Sequence, residues 1–296
     1  DEYAESATLT ADGGYAIAGY SLSSNGDLNS NNGLADYWII KLNSNGELVW
    51  QKSFGGSGND YGQSITLLAD GGFAVTGHSQ SNDGDVSGNH GSADYWVIRL
   101  DSSGGLVWQR SFGGSSNDYA ASIIQTNDGG YAVAGFSESS DGDVSGNHGQ
   151  LDYWIIKLDP NGGLVWQKTY GGSAGDFAGS ITHTLDGGYA VAGFSESIDG
   201  DVSGNHGQLD YWIVKLDSNG GLVWQKSYGG SAGDFAGSII QSSDGSYSVA
   251  GFSESNNGDV SINQGQKDYW VIRLDITGNL LWEKSFGGSS DDRGYS

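Results

Sequence analysis

The sequence predicts an all-β fold, a five-bladed β-propeller with four antiparallel strands per blade, and three observations lead there. The triplet DYW recurs at Asp36, Asp94, Asp152, Asp210 and Asp268, a period of 58 residues without insertion or deletion. Within each period, short apolar runs alternate with Gly- and Asp-rich turns, and no helical 3,4 spacing outlasts one turn. The run that follows each DYW is apolar on both faces, so it has to be covered twice. Repeats therefore outrank a domain count based on length. The expected organisation is one domain over residues 1–296, with repeats at 1–58, 59–116, 117–174, 175–232 and 233–290. Residues 291–296 are in register with residues 1–6 and read as the start of a sixth repeat or a surplus tail.

The third repeat shows the elements most clearly. Strand A is expected over residues 121–126, and NDGG at 127–130 makes a tight hairpin into strand B at 131–137. A long acidic loop follows. Strand C is expected over 153–159, with Tyr153 and Ile155 on one face and Trp154, Ile156 and Leu158 on the other. PNGG at 160–163 is the second hairpin turn, and strand D covers 164–170. Ala132, Ala134 and Gly135 make strand B small, which suits crowded packing between blades. A four-stranded meander buried on both faces and repeated around an axis is a propeller blade, whereas a solenoid coil is shorter. All ten Trp fall in register, at 38, 96, 154, 212 and 270 on strand C and at 50, 108, 166, 224 and 282 on strand D. A residue needed identically in every repeat reads as packing between blades. Tyr20, Phe136, Phe194 and Phe252, near the end of strand B, are left as candidates for stacking against sugars.

Composition narrows the chemistry. The chain carries 36 acidic and 12 basic residues, a net charge of -24, which repels phosphate backbones and anionic lipid, so no nucleic-acid partner is expected. No apolar run approaches the roughly 20 residues of a membrane helix, and no membrane insertion is expected. With no Cys, disulfides, thiolate metal sites and Cys nucleophiles are excluded. Of the five His, His90, His148 and His206 share one register, where the other repeats carry Asn32 and Gln264. Amides replacing imidazole indicate a hydrogen-bonding loop residue. There is no GxSxG elbow and no phosphate loop, so no catalytic residue is assigned. A pair of carboxylates from two blades could still serve glycoside hydrolysis, which keeps a channel-site polysaccharide hydrolase as an alternative.

The acidic loop has the most specific spacing. In DGDVSGNHGSAD, counted from Asp83, oxygen-bearing side chains fall at positions 1, 3 and 5 (Asp83, Asp85, Ser87). Gly88 stands at position 6, Asn89 offers its carbonyl at 7, and Asp94 stands at 12. That spacing resembles a calcium loop, because alternate residues of a tightly curled loop point inward and Gly permits the turn. Asp141, Asp143, Ser145, Asn147 and Asp152 repeat it, as do Asp199, Asp201, Ser203, Asn205 and Asp210. The loops of the first and last repeats are worn, with Asn25 and Asn257 at position 1 and Ser30 and Ile262 at position 6. Yet Asp36 and Asp268 persist there. The competing reading is therefore an Asx-turn loop in which position 12 caps strand C without metal. Calcium and this Asx-turn reading both stay open.

The strings GGSGNDYGQSITLLADGGFAVTGHS at 55–79 and ADYWVIRLDSSGGLVWQRSFGGS at 93–115 resemble the bacterial β-propeller repeats known as SBBP, along the whole chain. The hairpin LDPNGGLVW at 158–166 also looks like the tryptophan-docking hairpin of quinoprotein-type propellers. The inserted DGDVSGNHG loop is similar to repeats of secreted and surface proteins of the Bacteroidetes. The resemblance implies an extracellular or cell-surface module without known activity. The expected function is non-enzymatic, multivalent binding of a glycan or a surface protein, by a monomeric ring or part of a larger chain. The alternative of the same class is a structural spacer in a longer surface array.

Overall fold

A computed structural model describes residues 1–28 and 31–294, so Ser30 of the first acidic loop lies outside the described residues. Twenty strands form five four-stranded antiparallel sheets, and no helix occurs among the described residues. The first sheet is β1–β4 (Glu2–Leu9, Tyr15–Ser21, Asp36–Leu42, Leu48–Phe54). The second is β5–β8 (Asp60–Leu67, Phe73–Ser79, Asp94–Leu100, Leu106–Phe112). The third is β9–β12 (Asp118–Gln125, Tyr131–Ser137, Asp152–Leu158, Leu164–Tyr170), and the fourth is β13–β16 (Asp176–His183, Tyr189–Ser195, Asp210–Leu216, Leu222–Tyr228). The fifth is β17–β20 (Asp234–Gln241, Tyr247–Ser253, Asp268–Leu274, Leu280–Phe286). Each sheet follows chain order, as expected of one meander per repeat. The chain divides into two compact units, residues 1–133, 137–145 and 156–167, and residues 134–136, 146–155 and 168–296.

The hairpins form where Gly takes a positive φ. Gly129 (φ 81°) follows Asp128, whose carboxylate accepts the N–H of Gly130 at 3.0 Å. Gly162 (φ 80°) follows Asn161, and Asp159 accepts the N–H of Gly163 at 2.9 Å. Both turns are local events that the side chains dictate. Strands B and D lie where the sequence puts them. Strand A does not: β9 starts at Asp118, three residues before the expected Ala121. The sister strands explain this, because their register shifts between Gly62 and Ser64 and between Ala178 and Ser180. Such a bulge breaks the alternation by which the sequence reveals a strand.

In the first compact unit, the first and second sheets share a core of Tyr37, Ile39, Phe73, Val75, Trp96, Ile98 and Leu100. In the second, Tyr211, Ile213, Tyr247, Val249, Trp270 and Ile272 form the equivalent core. The joint is a tyrosine peg. Tyr37 is fully buried, its ring lies 4.5 Å from that of Trp96, and its O–H donates to the Trp96 carbonyl at 2.9 Å. Tyr153 and Tyr211 repeat the bond with Trp212 (2.8 Å) and Trp270 (2.9 Å). Trp96, Trp154, Trp212 and Trp270 are fully buried. The strand-D tryptophans are shallower: Trp50, Trp108 and Trp224 are half-buried, and each lies against a turn glycine of the next repeat, at Gly104, Gly162 and Gly278. Trp282 is exposed.

Candidate functional site

Antiparallel register brings the start of strand A, the end of strand B and the start of strand C to one end of each sheet, as in Asp176, Ser195 and Asp210. The acidic loop and the connector GGS..D meet there. The loop is pegged by one apolar residue, buried Val86, Val144, Val202 or Val260, while Asp83, Ser87 and His90 and their counterparts face solvent.

The structure sends the predicted calcium ligands to different places. Asp83, Asp141 and Asp199 each accept, at 2.7 Å, the N–H of a connector serine of the preceding repeat: Ser57, Ser115 and Ser173. That N–H bond holds each carboxyl below its ordinary value. Asp85, Asp143 and Asp201 face the N–H of Gly55, Gly113 and Gly171 at 3.3 Å. Ser87, Ser145 and Ser203 accept from Gln109, Gln167 and Gln225. Asn89 and Asn205 donate to the carbonyls of Ser79 (2.9 Å) and Ser195 (3.0 Å), and Asn147 accepts from the N–H of Gly149 (3.0 Å). Asp94, Asp152 and Asp210 are fully buried and accept the backbone N–H of His90, His148 and His206 at 2.8 Å. Each histidine's Nδ1 reaches the same oxygen, at 2.9, 3.0 and 2.8 Å. Positions 1 and 3 thus fasten a loop to the preceding connector, and position 12 does not join them. Among the described residues, no group of three or more His, Cys, Asp or Glu side chains has the geometry to hold a metal.

A second carboxylate series escaped the sequence reading. Asp60, at the start of strand A, is fully buried and accepts from the Gly56 N–H (2.8 Å), from the Ser81 hydroxyl (2.9 Å) and from Ser79. A Cβ added to Gly55 would stand 2.5 Å from Asp36 Oδ1 and 2.7 Å from Asp60 Oδ2, so the two carboxylates converge on one connector glycine. Gly113 (Asp94, Asp118), Gly171 (Asp152, Asp176) and Gly229 (Asp210, Asp234) repeat the arrangement. The strand-C oxygen turned toward this glycine, Oδ1 of Asp36, Asp94, Asp152 and Asp210, is buried without a hydrogen-bond partner. Burial pushes Asp118, Asp176 and Asp234 up to about 6, with a smaller push from the neighbouring strand-C carboxylate. Asp36 is pushed up to about 6 in the same way. The only sequence signal for the series is the aspartate of GGS..D at a spacing of 58.

The candidate sugar-stacking rings pack on one another. Tyr20 stacks on Tyr3 (4.8 Å) and meets Tyr61 edge-on (4.6 Å). Phe136 meets Phe177, Phe194 lies between Phe177 and Phe235, and Phe252 stacks on Phe235. A ladder of this kind seals strands A and B together, with contacts from 4.6 to 5.0 Å in the aromatic-pair range.

No protein-family model matches the chain. The regulatory protein FlaEY of Caulobacter vibrioides is 30% identical over 145 residues, which are 44% of this chain and 15% of that protein. The chain is thus similar to a small part of that relative. A protein of unknown function from Bacteroides caccae matches 98% of this chain and 85% of its own, with a TM-score of 0.55 at 13% identity. A chimera of apocarotenoid oxygenase and RPE65 matches 97% of this chain and 63% of its own, with a TM-score of 0.50 at 13% identity. The Neurospora crassa Pan2 WD40 domain has a TM-score of 0.49 at 12% identity. At such identity the first two show a shared fold and nothing of function.

Proposed function

We propose that the chain is a non-enzymatic binding module of the secreted or cell-surface kind, its five sheets acting as blades of one five-bladed propeller. The observation that carries this is the loop series. The acidic loops of the second, third and fourth repeats are near-identical and stand at the same end of their sheets, each pegged by a buried valine and each turning Asp, Ser and His to solvent. Weak contacts repeated on a stiff frame multiply through effective concentration, which suits adhesion to a glycan or a surface protein. The buried carboxylate pairs speak against the hydrolase alternative, since they recur at every junction and a substrate cannot reach them. The resemblance to SBBP repeats supports an extracellular setting. A glycan array and a surface-protein pull-down test the proposal. Binding lost on shaving Ser87, His90 and their counterparts supports it, blank results on both favour the spacer, and turnover of a polysaccharide overturns it.

Calcium belongs to the same proposal, moved from the interior of one loop to the junction between repeats. The orphaned Oδ1 of Asp94, Asp152 or Asp210 is a buried anionic donor beside a second carboxylate, and a divalent cation there would offset both charges. Binding to the folded form alone would add about 2.7 kcal/mol per site at a hundredfold excess over the dissociation constant. Melting curves with chelator and with millimolar calcium test this. Superimposable curves remove calcium and leave protonation as the means of neutralising the pair.

A further inference from the structure

Near the start of strand A and the end of strand B every repeat carries a pair of rings, yet the chemistry of that pair changes along the chain. In the fourth and fifth repeats it is Phe177 with Phe194 and Phe235 with Phe252. In the second it is Tyr61 with His78, and Tyr20 and Tyr119 reach that pair from the first and third repeats. All four lie in the first compact unit and touch in series: Tyr20 meets Tyr61 edge-on at 4.6 Å, Tyr61 lies 5.1 Å from His78, and His78 meets Tyr119 edge-on at 4.5 Å. Packing does not ask for this polarity, because phenylalanines make the same contacts at 4.7 to 5.0 Å. The strand-A bulge changes with the rings. The residue that the register skips is Glu5 and Gln63 in the first two repeats, and Gly179 and Gly237 in the last two. Nearly identical repeats thus differ here in one group of polar side chains.

Nothing within the protein accounts for that polarity. Tyr20, Tyr61 and His78 are half-buried, and among the described residues neither phenol oxygen of Tyr20 and Tyr61 bonds to a protein group. The Nδ1 of His78 is shut away from solvent without a partner. A buried nitrogen left unpaired costs free energy unless a water or a ligand atom meets it, whereas phenylalanine at that position carries no such cost. Burial holds His78 down to about 4, so at neutral pH the ring is uncharged and one of its nitrogens is an acceptor. Burial also pushes the Tyr20 phenol up, and the charge of Glu5 adds to this, which puts a carboxylate within electrostatic reach of the group. We infer that the group is a second, single-copy binding site, which takes a neutral sugar ring through hydroxyl hydrogen bonds to Tyr20, Tyr61 and His78. Charge and ring geometry select that class of ligand. The group holds phenols, an imidazole and a carboxylate but no Lys or Arg, so an anion finds no counter-charge there in a chain of net charge -24. A quaternary ammonium needs open ring faces, and these rings are turned to one another. Hydroxyls, which both donate and accept, match what remains. The site goes beyond the multivalent loops, because the group occurs once in the chain and the loop aspartates take no part in it.

Saturation-transfer NMR on the full chain, with D-glucose, D-galactose and D-mannose as probes, tests the site. At least one hexose should take up saturation from the protein, while D-glucuronate and tetramethylammonium should take up none. The variant Tyr20→Phe, Tyr61→Phe, His78→Phe gives this group the rings that the fourth repeat already carries as Phe177 and Phe194. Its circular dichroism and melting should match wild type, and the hexose signal should vanish. Tyr61→Phe alone should weaken binding about three- to tenfold, the value of one hydrogen bond, and this variant reads the site should the triple variant unfold. Wild-type chain that binds none of the three hexoses overturns the inference. So does a hexose signal that the triple variant retains, which belongs to another surface, the acidic loops included, or a tetramethylammonium signal that it abolishes. Binding by the loops is read through Ser87 and His90, so either proposal can fail without the other.

Discussion

Stability should peak near pH 4–5 and fall as the solution is brought to neutrality, because the junction carboxylates are buried in pairs. Asp36, Asp118, Asp176 and Asp234 are pushed by burial from an ordinary 3.8 to about 6. Between those values the folded chain holds protons that the unfolded chain has released. Their contribution is therefore complete below 3.8 and is lost as pH rises through 6. At about 1.4 kcal/mol per unit, each group sets a ceiling of about 3 kcal/mol over that window. Water entry and side-chain movement reduce this, and a net loss of about 3–6 kcal/mol between pH 4.5 and 7.5 is the reasonable expectation. In a chain of this size that lowers Tm by about 10 °C. The acid limb has the opposite sign. The Ser246 hydroxyl holds Asp244 down to about 2, and the Asn279 N–H does the same for Asp275. Their stabilisation is present above 3.8 and disappears as pH falls through 2. Denaturant titrations followed by Trp fluorescence, without divalent ions, measure the profile. Asp36→Asn keeps the bond from the Asn32 N–H and should flatten the neutral limb. A stability that is constant or rising from pH 5 to 7.5 would refute the paired-carboxylate argument.

Three further outcomes follow from particular contacts. Tyr153→Phe removes a buried bond to the Trp212 carbonyl and should cost about 1–2 kcal/mol, whereas Tyr269→Phe, exposed, should change stability by less than about 0.5 kcal/mol in the monomer. Equal costs in urea titration would mean that the peg bond contributes nothing. Gly46→Ala and Gly162→Ala both force alanine to a φ near +80°, but a Cβ at Gly46 meets nothing within 4 Å and one at Gly162 comes 3.1 Å from the Trp108 ring. The first should cost about 1 kcal/mol and the second about 1–3 kcal/mol more, read by the same titration. His90→Asn should leave stability within about 0.5 kcal/mol, because Asn32 already donates the same backbone N–H to Asp36 at 2.7 Å. A large loss would assign the imidazole a part that the amide cannot play.

The sheet content was legible in the sequence because turns and alternation are local. NDGG and PNGG specify their hairpins by backbone chemistry that needs no distant partner, and strands B and D sit where those turns place them. Strand A was misplaced at its start because a bulge after Ala178 and its counterparts shifts the alternation by one residue. The acidic loop is a different case. Position counting treats Asp83, Asp85 and Asp94 as one loop's ligands, yet the backbone N–H groups of Gly55 and Ser57 need acceptors, and the first two carboxylates turn to them. Asp60 was passed over because nothing in its neighbourhood looks reactive; only folding lays it beside Asp36.

Identical repeats also hide which copy a residue addresses. Tyr37 bonds to Trp96, 59 residues away, and the Ile65 N–H donates to the Ser6 hydroxyl oxygen at the same separation, so the energetics of each repeat belong partly to its neighbour. In an array of this kind stability is a sum of intrinsic terms and nearest-neighbour terms. Tyr37 and Tyr269 differ in this respect: the same residue in the same triplet is fully buried in one sheet and 43% exposed in another. Burial here is a property of the joint and not of the residue. It follows that composition and periodicity, which are alike along the whole chain, could not have distinguished the buried tyrosine from the exposed one; the distinction required knowing what each ring packs against.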